Sequence, residues 1–216
     1  MTPDFLQITL PYVFCLLAAY LAGSVNFAWL LAKRRGFDIR SRGSCNAGAT
    51  NAGRTMGPLT ALLVFSLDAC KAAGVVYLSG FLFPESPSLP AATALGCVVG
   101  HLFPFYLEFR GGKGVSVLMG SALALDWRLF LLLLAWTAAV SCLSDYMFIG
   151  TLTAAVGYVV WFWLRGRPAW DLALMILSVG LIFWQHRKNF RRFFAGKELG
   201  LHATFFGKGC RAEHRG

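Results

Sequence analysis

Long apolar stretches separated by short polar segments are the dominant pattern of this 216-residue chain. A membrane-spanning helix needs about 20 apolar residues, and the chain has seven candidate stretches, of which all but the fourth approach or reach that length. They predict an all-α, polytopic membrane protein, with six or five spans as alternatives because the fourth stretch is short. The predicted spans are 9–32, 58–83, 91–107, 115–125, 129–143, 147–164 and 169–185.

Composition agrees with this pattern, because 57% of the residues are hydrophobic and only 14% are charged. A soluble domain of this size needs more charge to cover its surface. The formal net charge of +10 raises the alternative of a nucleic-acid binder. The Lys and Arg residues, however, cluster between the apolar stretches, so we expect no nucleic-acid partner. The six cysteines are scattered without a CxxC pair and give no indication of a metal site.

The positive charges also predict the orientation of the spans. With the N-terminus outside, the inner segments carry 16 Lys and Arg residues and the outer segments carry three, the asymmetry expected of a cytoplasmic side. We therefore predict a cytoplasmic C-terminus, a single membrane domain over residues 1–198 and a loosely ordered basic tail over residues 199–216. The inner connectors are long and rich in glycine, so the chemistry is expected on the inner face.

The first inner connector, residues 38–54, is rich in small and hydroxyl-bearing residues. Small residues let successive backbone N–H groups point at one anion, and an arginine can form two hydrogen bonds with a phosphate. The segment lacks the GxxxxGK[ST] spacing of a Walker A loop, and a flexible turn that contacts lipid headgroups is an equally good interpretation. The candidate anion-binding residues are Ser44, Asn46, Gly48, Thr50, Asn51 and Arg54.

A second inner segment contains one lysine among three glycines. These glycines would expose the backbone and let the ammonium of Lys113 approach an anion closely. A lysine that only reaches to the membrane interface explains the charge but not the glycines, which are Gly111, Gly112 and Gly114. His101 lies just before this segment, near a helix end, where a lone histidine is more often a packing residue than a catalyst.

Two further polar pairs have a spacing of three residues. His186 and Asn189 would share one face of a helix and could bind a hydroxyl group, with His186 as general base and Asn189 as the orienting group. A basic flank that only ends the last span is the simpler interpretation. Asp68 and Lys71 lie inside an apolar stretch, where ionisable residues usually pair and face the bundle interior. A structural and a functional ion pair are equally good interpretations of this second pair.

Taken in order, these motifs resemble the membrane-bound acyl-phosphate:glycerol-3-phosphate acyltransferases of bacteria. Each motif is weak alone, but the ordered set is specific and covers nearly the whole chain. The resemblance is carried by Gly23-Ser24, Asp38-Ile39-Arg40, Gly43-Ser44, Asn46, Gly48-Ala49-Thr50-Asn51, Arg54, Asp68, Lys71, Gly100-His101, Phe103-Pro104, the segment 109–114, His186, Asn189, Arg192, Gly196 and Glu198.

The resemblance implies a seven-helix enzyme in the bacterial cytoplasmic membrane, with its active site on the inner face. It implies transfer of an acyl chain from acyl phosphate to the 1-hydroxyl of glycerol 3-phosphate, which gives lysophosphatidic acid and phosphate for phospholipid synthesis. Lys113, His186 and Asn189 are the expected catalytic residues, and His101 and Glu198 join the expected substrate-binding set. Membrane lipids are expected partners, whereas no metal, cofactor or obligate protein partner is expected.

The chain departs from the family pattern at three positions. Cys45 stands where glycine is usual, so we expect this residue to avoid a strongly left-handed backbone conformation. Ala72 replaces a second usual glycine, which is a mild change. Phe148 stands where serine is usual, and Ser144 or Thr151 could supply the missing hydroxyl.

Two other functions are compatible with the same pattern. A transporter of phosphorylated small molecules would share the basic inner loops, but transporters usually show repeats, and this sequence has none that we detect. A scaffold could bind anionic lipid through the basic tail. Removal of the residues after Leu199 should abolish such a scaffold function and largely spare an enzyme.

Overall fold

The computed structural model describes residues 3–206, which form helices and connecting loops without a β-strand. The all-α fold class predicted from the sequence is confirmed for this range. Residues 207–216 of the predicted tail lie outside it. The helices are α1 (Pro3–Ser24), α2 (Phe27–Arg34), α3 (Ala49–Met56), α4 (Pro58–Leu82), α5 (Leu89–Leu102), α6 (Val115–Leu125), α7 (Trp127–Ser144), α8 (Met147–Leu164), α9 (Ala169–Gln185), α10 (Arg187–Phe194) and α11 (Leu201–Phe206).

Within the described range, five helical segments are long and apolar enough to cross a membrane. A sixth arises if α9 and α10, which meet at 45°, are counted as one bent span. Helix α6 has 11 residues and rises only about 16 Å, roughly half of the hydrocarbon core. The chain is therefore a multi-pass helical protein, while the count of seven spans and the orientation of the termini stay predictions. The five segments are Thr9–Arg34, Pro58–Leu82, Leu89–Leu107, Trp127–Ser144 and Met147–Leu164.

Small residues allow the helices at the centre of the bundle to pack closely. Gly23 of α1 lies against the backbone of Cys97 in α5, and Gly100 of α5 lies against the backbone of Tyr20, so that a Cβ at either glycine would collide with a carbonyl group. Backbone contact through small residues is typical of helix pairs in membranes. The outer surface, in contrast, carries large exposed apolar side chains such as Leu59, as expected where lipid is the solvent.

The first predicted span is interrupted at Val25 and Asn26, between α1 and α2. Lys71 of α4 donates hydrogen bonds to the carbonyl oxygens of Gly23 at 3.0 Å and Val25 at 2.5 Å, which lie at this interruption. The Asn26 side chain caps α2 by accepting a hydrogen bond from the N–H group of Trp29 at 2.8 Å. The predicted span over 9–32 is one candidate membrane span in the structure, Thr9–Arg34. It contains a break at which side chains satisfy the backbone groups that an unbroken helix would pair.

The predicted pairing of Asp68 with Lys71 is confirmed. Lys71 Nζ lies 2.6 Å from Asp68 Oδ1, and the two side chains are 8% and 1% exposed. His101 Nδ1 lies 3.2 Å from the same ammonium nitrogen. This buried cluster joins α4 and α5 to the interruption after α1, so its contacts have a structural role.

Candidate active site

A cavity of about 720 Å³, called the chamber below, brings together the three basic segments that were predicted to lie on the inner face. Its apolar lining comes from α4, α6, α7 and α8, and includes Phe65, Met119, Leu134 and Phe148. Large, mostly apolar cavities with a few convergent polar groups are typical ligand sites. The polar lining consists of Ser44, Asn46, Gly48, Thr50, Asn51, Arg54, His101, Lys113, Gly114, His186, Asn189, Arg192 and Glu198, together with hydroxyl-bearing residues of the helices.

The loop before α3 is organised by Asn51, which is 1% exposed. Its Oδ1 accepts a hydrogen bond from the N–H group of Ser44 at 2.8 Å. Its Nδ2 lies within hydrogen-bond distance of three carbonyl oxygens, those of Ile39 at 3.1 Å, Arg42 at 3.0 Å and Asn46 at 2.9 Å. Because the polar atoms of Asn51 are engaged within the loop, its main contribution is to shape the wall of the chamber.

The N-terminus of α3 forms part of this wall. Gly48 is the N-cap residue, and no side chain caps the first turn. The first N–H groups of a helix lack partners within it and carry partial positive charge. Gly48, Ala49 and Thr50 all line the chamber, as does Arg54 one turn later. This combination of backbone donors and a guanidinium suits a phosphate group.

Cys45 contradicts the prediction made for it. Its φ is +57°, in the left-handed region, two residues after Gly43 with φ of +60°. A non-glycine residue in this region costs about 1–3 kcal/mol. The N–H group of Cys45 donates to the carbonyl of Arg42 at 3.0 Å, and its side chain is exposed. The turn held by Asn51 therefore imposes the conformation, and the Cβ projects to the surface.

A chain of polar contacts runs through Lys113. Its Nζ donates to Asn189 Oδ1 at 2.5 Å, Asn189 Nδ2 donates to Glu198 Oε1 at 2.7 Å, and Glu198 Oε2 accepts from Arg192 Nε at 2.6 Å. Burial lowers the pKa of Lys113 to about 8, an effect that Glu198 opposes and that Arg192 and Arg54 reinforce. An anion bound in the chamber would favour the charged form of this lysine.

His186 occupies the bend between α9 and α10 and is 2% exposed. Its Nδ1 lies 2.8 Å from the carbonyl oxygen of Ile182. A carbonyl oxygen only accepts hydrogen bonds, so Nδ1 carries the hydrogen and Nε2 of the neutral ring is left as an acceptor. The carbonyl of His186 also accepts the N–H group of Asn189 at 2.8 Å. The bend thus places both predicted side chains at the chamber.

Gly111 and Gly112 do not line the chamber, although they were predicted to bind substrate. Their N–H groups donate to the carbonyls of Leu102 at 3.0 Å and His101 at 3.1 Å. A Cβ at Gly111 would collide with the carbonyl of His101, and one at Gly112 would collide with the imidazole ring. Close packing therefore accounts for these two glycines, and their role in binding substrate stays a prediction. Gly114 does line the chamber, with φ of +85° at the start of α6.

The model of the family "Glycerol-3-phosphate acyltransferase" matches residues 13–196 of the chain. The chain belongs to the glycerol-3-phosphate acyltransferase family. The glycerol-3-phosphate acyltransferase of a Thermus thermophilus strain is 40% identical over 189 residues, which cover 88% of this chain and 94% of that relative. The acyltransferase of Coxiella burnetii strain Dugway is 37% identical over 188 residues, which cover 87% and 96%.

The fold is similar to two crystal structures of PlsY, an integral membrane glycerol 3-phosphate acyltransferase. The glycerol 3-phosphate form has a TM-score of 0.84 at 30% identity and covers 89% of this chain and 96% of that chain. The lysophosphatidic acid form has a TM-score of 0.81 at 30% identity and covers 88% and 94%. The family resemblance drawn from the sequence motifs is thereby confirmed.

Most of the predicted site residues of this acyltransferase meet in the chamber, with Gly111 and Gly112 as the exceptions. His101 reaches the chamber, but its ring is held between Lys71 and Gly112. Of the two residues that could replace the usual serine, Thr151 belongs to the chamber lining, and its hydroxyl donates a hydrogen bond to the carbonyl of Phe148 at 3.0 Å. Among residues 3–206, no group of three or more His, Cys, Asp or Glu side chains could hold a metal ion.

The C-terminal segment contributes to the site in a way that the sequence pattern did not predict. Leu199, Leu201 and Thr204 line the chamber, whereas the sequence assigned them to a loosely ordered tail. The available signal was the short apolar run within the basic tail, residues 199–206. Arg192 also lines the chamber. It is part of the family resemblance but was not among the predicted site residues.

Proposed function

We propose that this acyltransferase uses acyl phosphate as its donor and the 1-hydroxyl of glycerol 3-phosphate as its acceptor. Acylation of glycerol 3-phosphate in phospholipid synthesis is the activity of the family to which the chain belongs. The observation that carries the choice of donor is the presence of two anion-binding groups on one largely apolar chamber. These groups are the wall formed by the first turn of α3 and the buried ammonium of Lys113.

The two substrates are assigned to different parts of the polar wall. The backbone donors around Gly48 and the side chains of Ser44 and Asn46 receive the phosphate of the acyl phosphate. Its acyl chain extends along the apolar lining between α4, α6, α7 and α8. Arg54 and Lys113 receive the phosphate of glycerol 3-phosphate, since Arg54 of α3 and Lys113 just before α6 both line the chamber.

The reaction proceeds by direct attack, without an acyl-enzyme intermediate. The 1-hydroxyl oxygen attacks the acyl carbonyl carbon, the bond from that carbon to the phosphate oxygen breaks, and phosphate leaves with the electron pair. His186 Nε2 accepts the hydroxyl proton, and Asn189 orients the acceptor beside Lys113. Acyl phosphate is a reactive mixed anhydride, so positioning and charge neutralisation supply most of the catalysis.

The same proposal places the enzyme in the bacterial cytoplasmic membrane with the chamber open to the cytoplasmic side. The support is the gathering of the basic segments around the chamber and the excess of Lys and Arg expected of cytoplasmic loops.

The donor is tested with the protein purified in detergent and supplied with labelled glycerol 3-phosphate. We expect lysophosphatidic acid from palmitoyl phosphate and no product above background from palmitoyl coenzyme A at the same concentration. A faster reaction with the thioester would contradict the proposed donor while leaving the acceptor intact. The absence of product from either donor, in protein that elutes as a single folded species, would contradict the acyl-transfer function itself.

A further inference from the structure

The segment from Leu199 to Thr204 lies beyond the region matched by the family model, which ends at residue 196. It nevertheless returns to the chamber, and Leu199, Leu201 and Thr204 contribute to its lining. Thr204 is only 6% exposed. A loosely attached tail would leave a small polar side chain in solvent, so this degree of burial indicates a defined docking position.

The segment is held at one end by Asp145, in the connector between α7 and α8. The carbonyl oxygen of Asp145 accepts a hydrogen bond from the N–H group of Leu201 at 2.5 Å. Asp145 Oδ1 accepts a hydrogen bond from the N–H group of His202 at 3.2 Å. Gly200 approaches Asp145 so closely that a Cβ at this glycine would collide with the carboxylate. A Cβ at position 200 would therefore push away the Asp145 carboxylate that accepts the hydrogen bond from His202.

The other end of the segment contacts Arg54 of α3. Arg54 Nη2 donates a hydrogen bond to Thr204 Oγ1 at 3.1 Å. An arginine side chain has many rotamers, and each immobilised side chain of this kind adds to the entropic cost of ligand binding. A buried hydroxyl that fixes the guanidinium before substrate arrives reduces this cost.

We infer that residues 199–204 form part of the acyltransferase site, with Thr204 as a positioning residue that holds Arg54 for the phosphate of glycerol 3-phosphate. The inference rests on the proposed function, which assigns that phosphate to Arg54 and Lys113. Loss of the Thr204 contact should therefore weaken the use of glycerol 3-phosphate more than it slows the chemical step. It also means that removal of the residues after Leu199 would impair the enzyme, contrary to the expectation from the sequence.

The test measures lysophosphatidic acid formation by the purified full-length chain at varied glycerol 3-phosphate and saturating palmitoyl phosphate. Thr204→Val removes the accepting oxygen and keeps the shape, so KM for glycerol 3-phosphate should rise roughly five- to twentyfold with kcat within about twofold. Thr204→Ser restores the oxygen and should stay close to the wild-type KM. Gly200→Ala should raise the same KM because it displaces the segment from Asp145.

A matched control is Gly180→Ala, since Gly180 lies on α9 with no atom near its would-be Cβ. This variant should keep the wild-type KM and kcat. Wild-type KM in both Thr204→Val and Gly200→Ala, with an active wild-type enzyme, would overturn the inference and leave the proposed function standing. Equal losses of kcat and of folded protein in the Val and Ser variants would also overturn it, because they would reveal a purely structural role. An inactive wild type would instead refute the proposed function, and the inference with it.

Discussion

The lowered pKa of Lys113 predicts a specific dependence of activity on pH. In the proposed function the charged ammonium binds the phosphate of glycerol 3-phosphate, which a neutral amine would not attract. Burial brings the pKa to about 8, so about nine-tenths of the enzyme carries the charge at pH 7 and about one-tenth at pH 9. Phosphate esters have a second pKa near 6 and remain dianionic throughout this range. Catalytic efficiency should therefore fall as the pH rises.

The magnitude follows from the fraction of charged enzyme. Because kcat/KM reports ionisations of the free enzyme, its value for glycerol 3-phosphate should drop roughly tenfold from pH 7 to pH 9. The assay measures initial rates of lysophosphatidic acid formation with palmitoyl phosphate and glycerol 3-phosphate both limiting, so that the free enzyme predominates, at half-unit steps of pH.

Lys113→Arg supplies the control, because a guanidinium stays charged over the whole range. Its efficiency is expected to be lower at pH 7, since the Asn189 contact is fitted to an ammonium, but to change little up to pH 9. A wild-type profile that is flat to pH 9 would refute the reasoning. A decline of equal size in Lys113→Arg would assign the ionisation to another group.

Three further predictions address other parts of the structure. His186→Ala should lower kcat at least about 100-fold by removing the proposed proton acceptor, as measured at saturating substrates. Lys71→Met leaves the carboxylate of Asp68 buried without its cation and should destabilise the protein by about 3–5 kcal/mol. The thermal unfolding temperature in detergent should fall, and the double variant with Asp68→Asn should recover part of that loss. Asn51→Ala breaks the hydrogen bonds that close the loop before α3, so trypsin should cleave faster after Arg42, and an unchanged cleavage rate would argue against this role.

Helix ends were predictable where the apolar pattern ends at polar or turn-forming residues. The predicted spans 147–164 and 169–185 coincide with α8 and α9, because Arg165 to Pro168 interrupt the apolar sequence between them. The interruption at Val25 and Asn26 was not predictable, since the apolar pattern continues through it. It depends on Lys71, a residue 46 positions away from Val25 that satisfies the freed carbonyls.

The sequence predicted which residues belong to the site better than it predicted what each residue does there. Lys113, His186 and Asn189 meet in the chamber as the ordered motifs indicated. The sequence could not show that Gly111 and Gly112 pack against the backbone, because a close backbone–backbone contact and a close approach to a ligand require the same small residue. Thr204 was missed because its role depends on a long-range contact with Arg54, and the basic composition around it resembles a solvated tail.

The central claim is that a chamber with two anion-binding groups transfers an acyl group between two phosphorylated molecules. The most direct measurement supplies palmitoyl phosphate and labelled glycerol 3-phosphate to purified wild-type protein and to Lys113→Ala, with Gly180→Ala as the matched control. The account predicts lysophosphatidic acid from the wild type and the control, and a near-complete loss of product in Lys113→Ala. Wild-type rates in a folded Lys113→Ala variant would contradict the account.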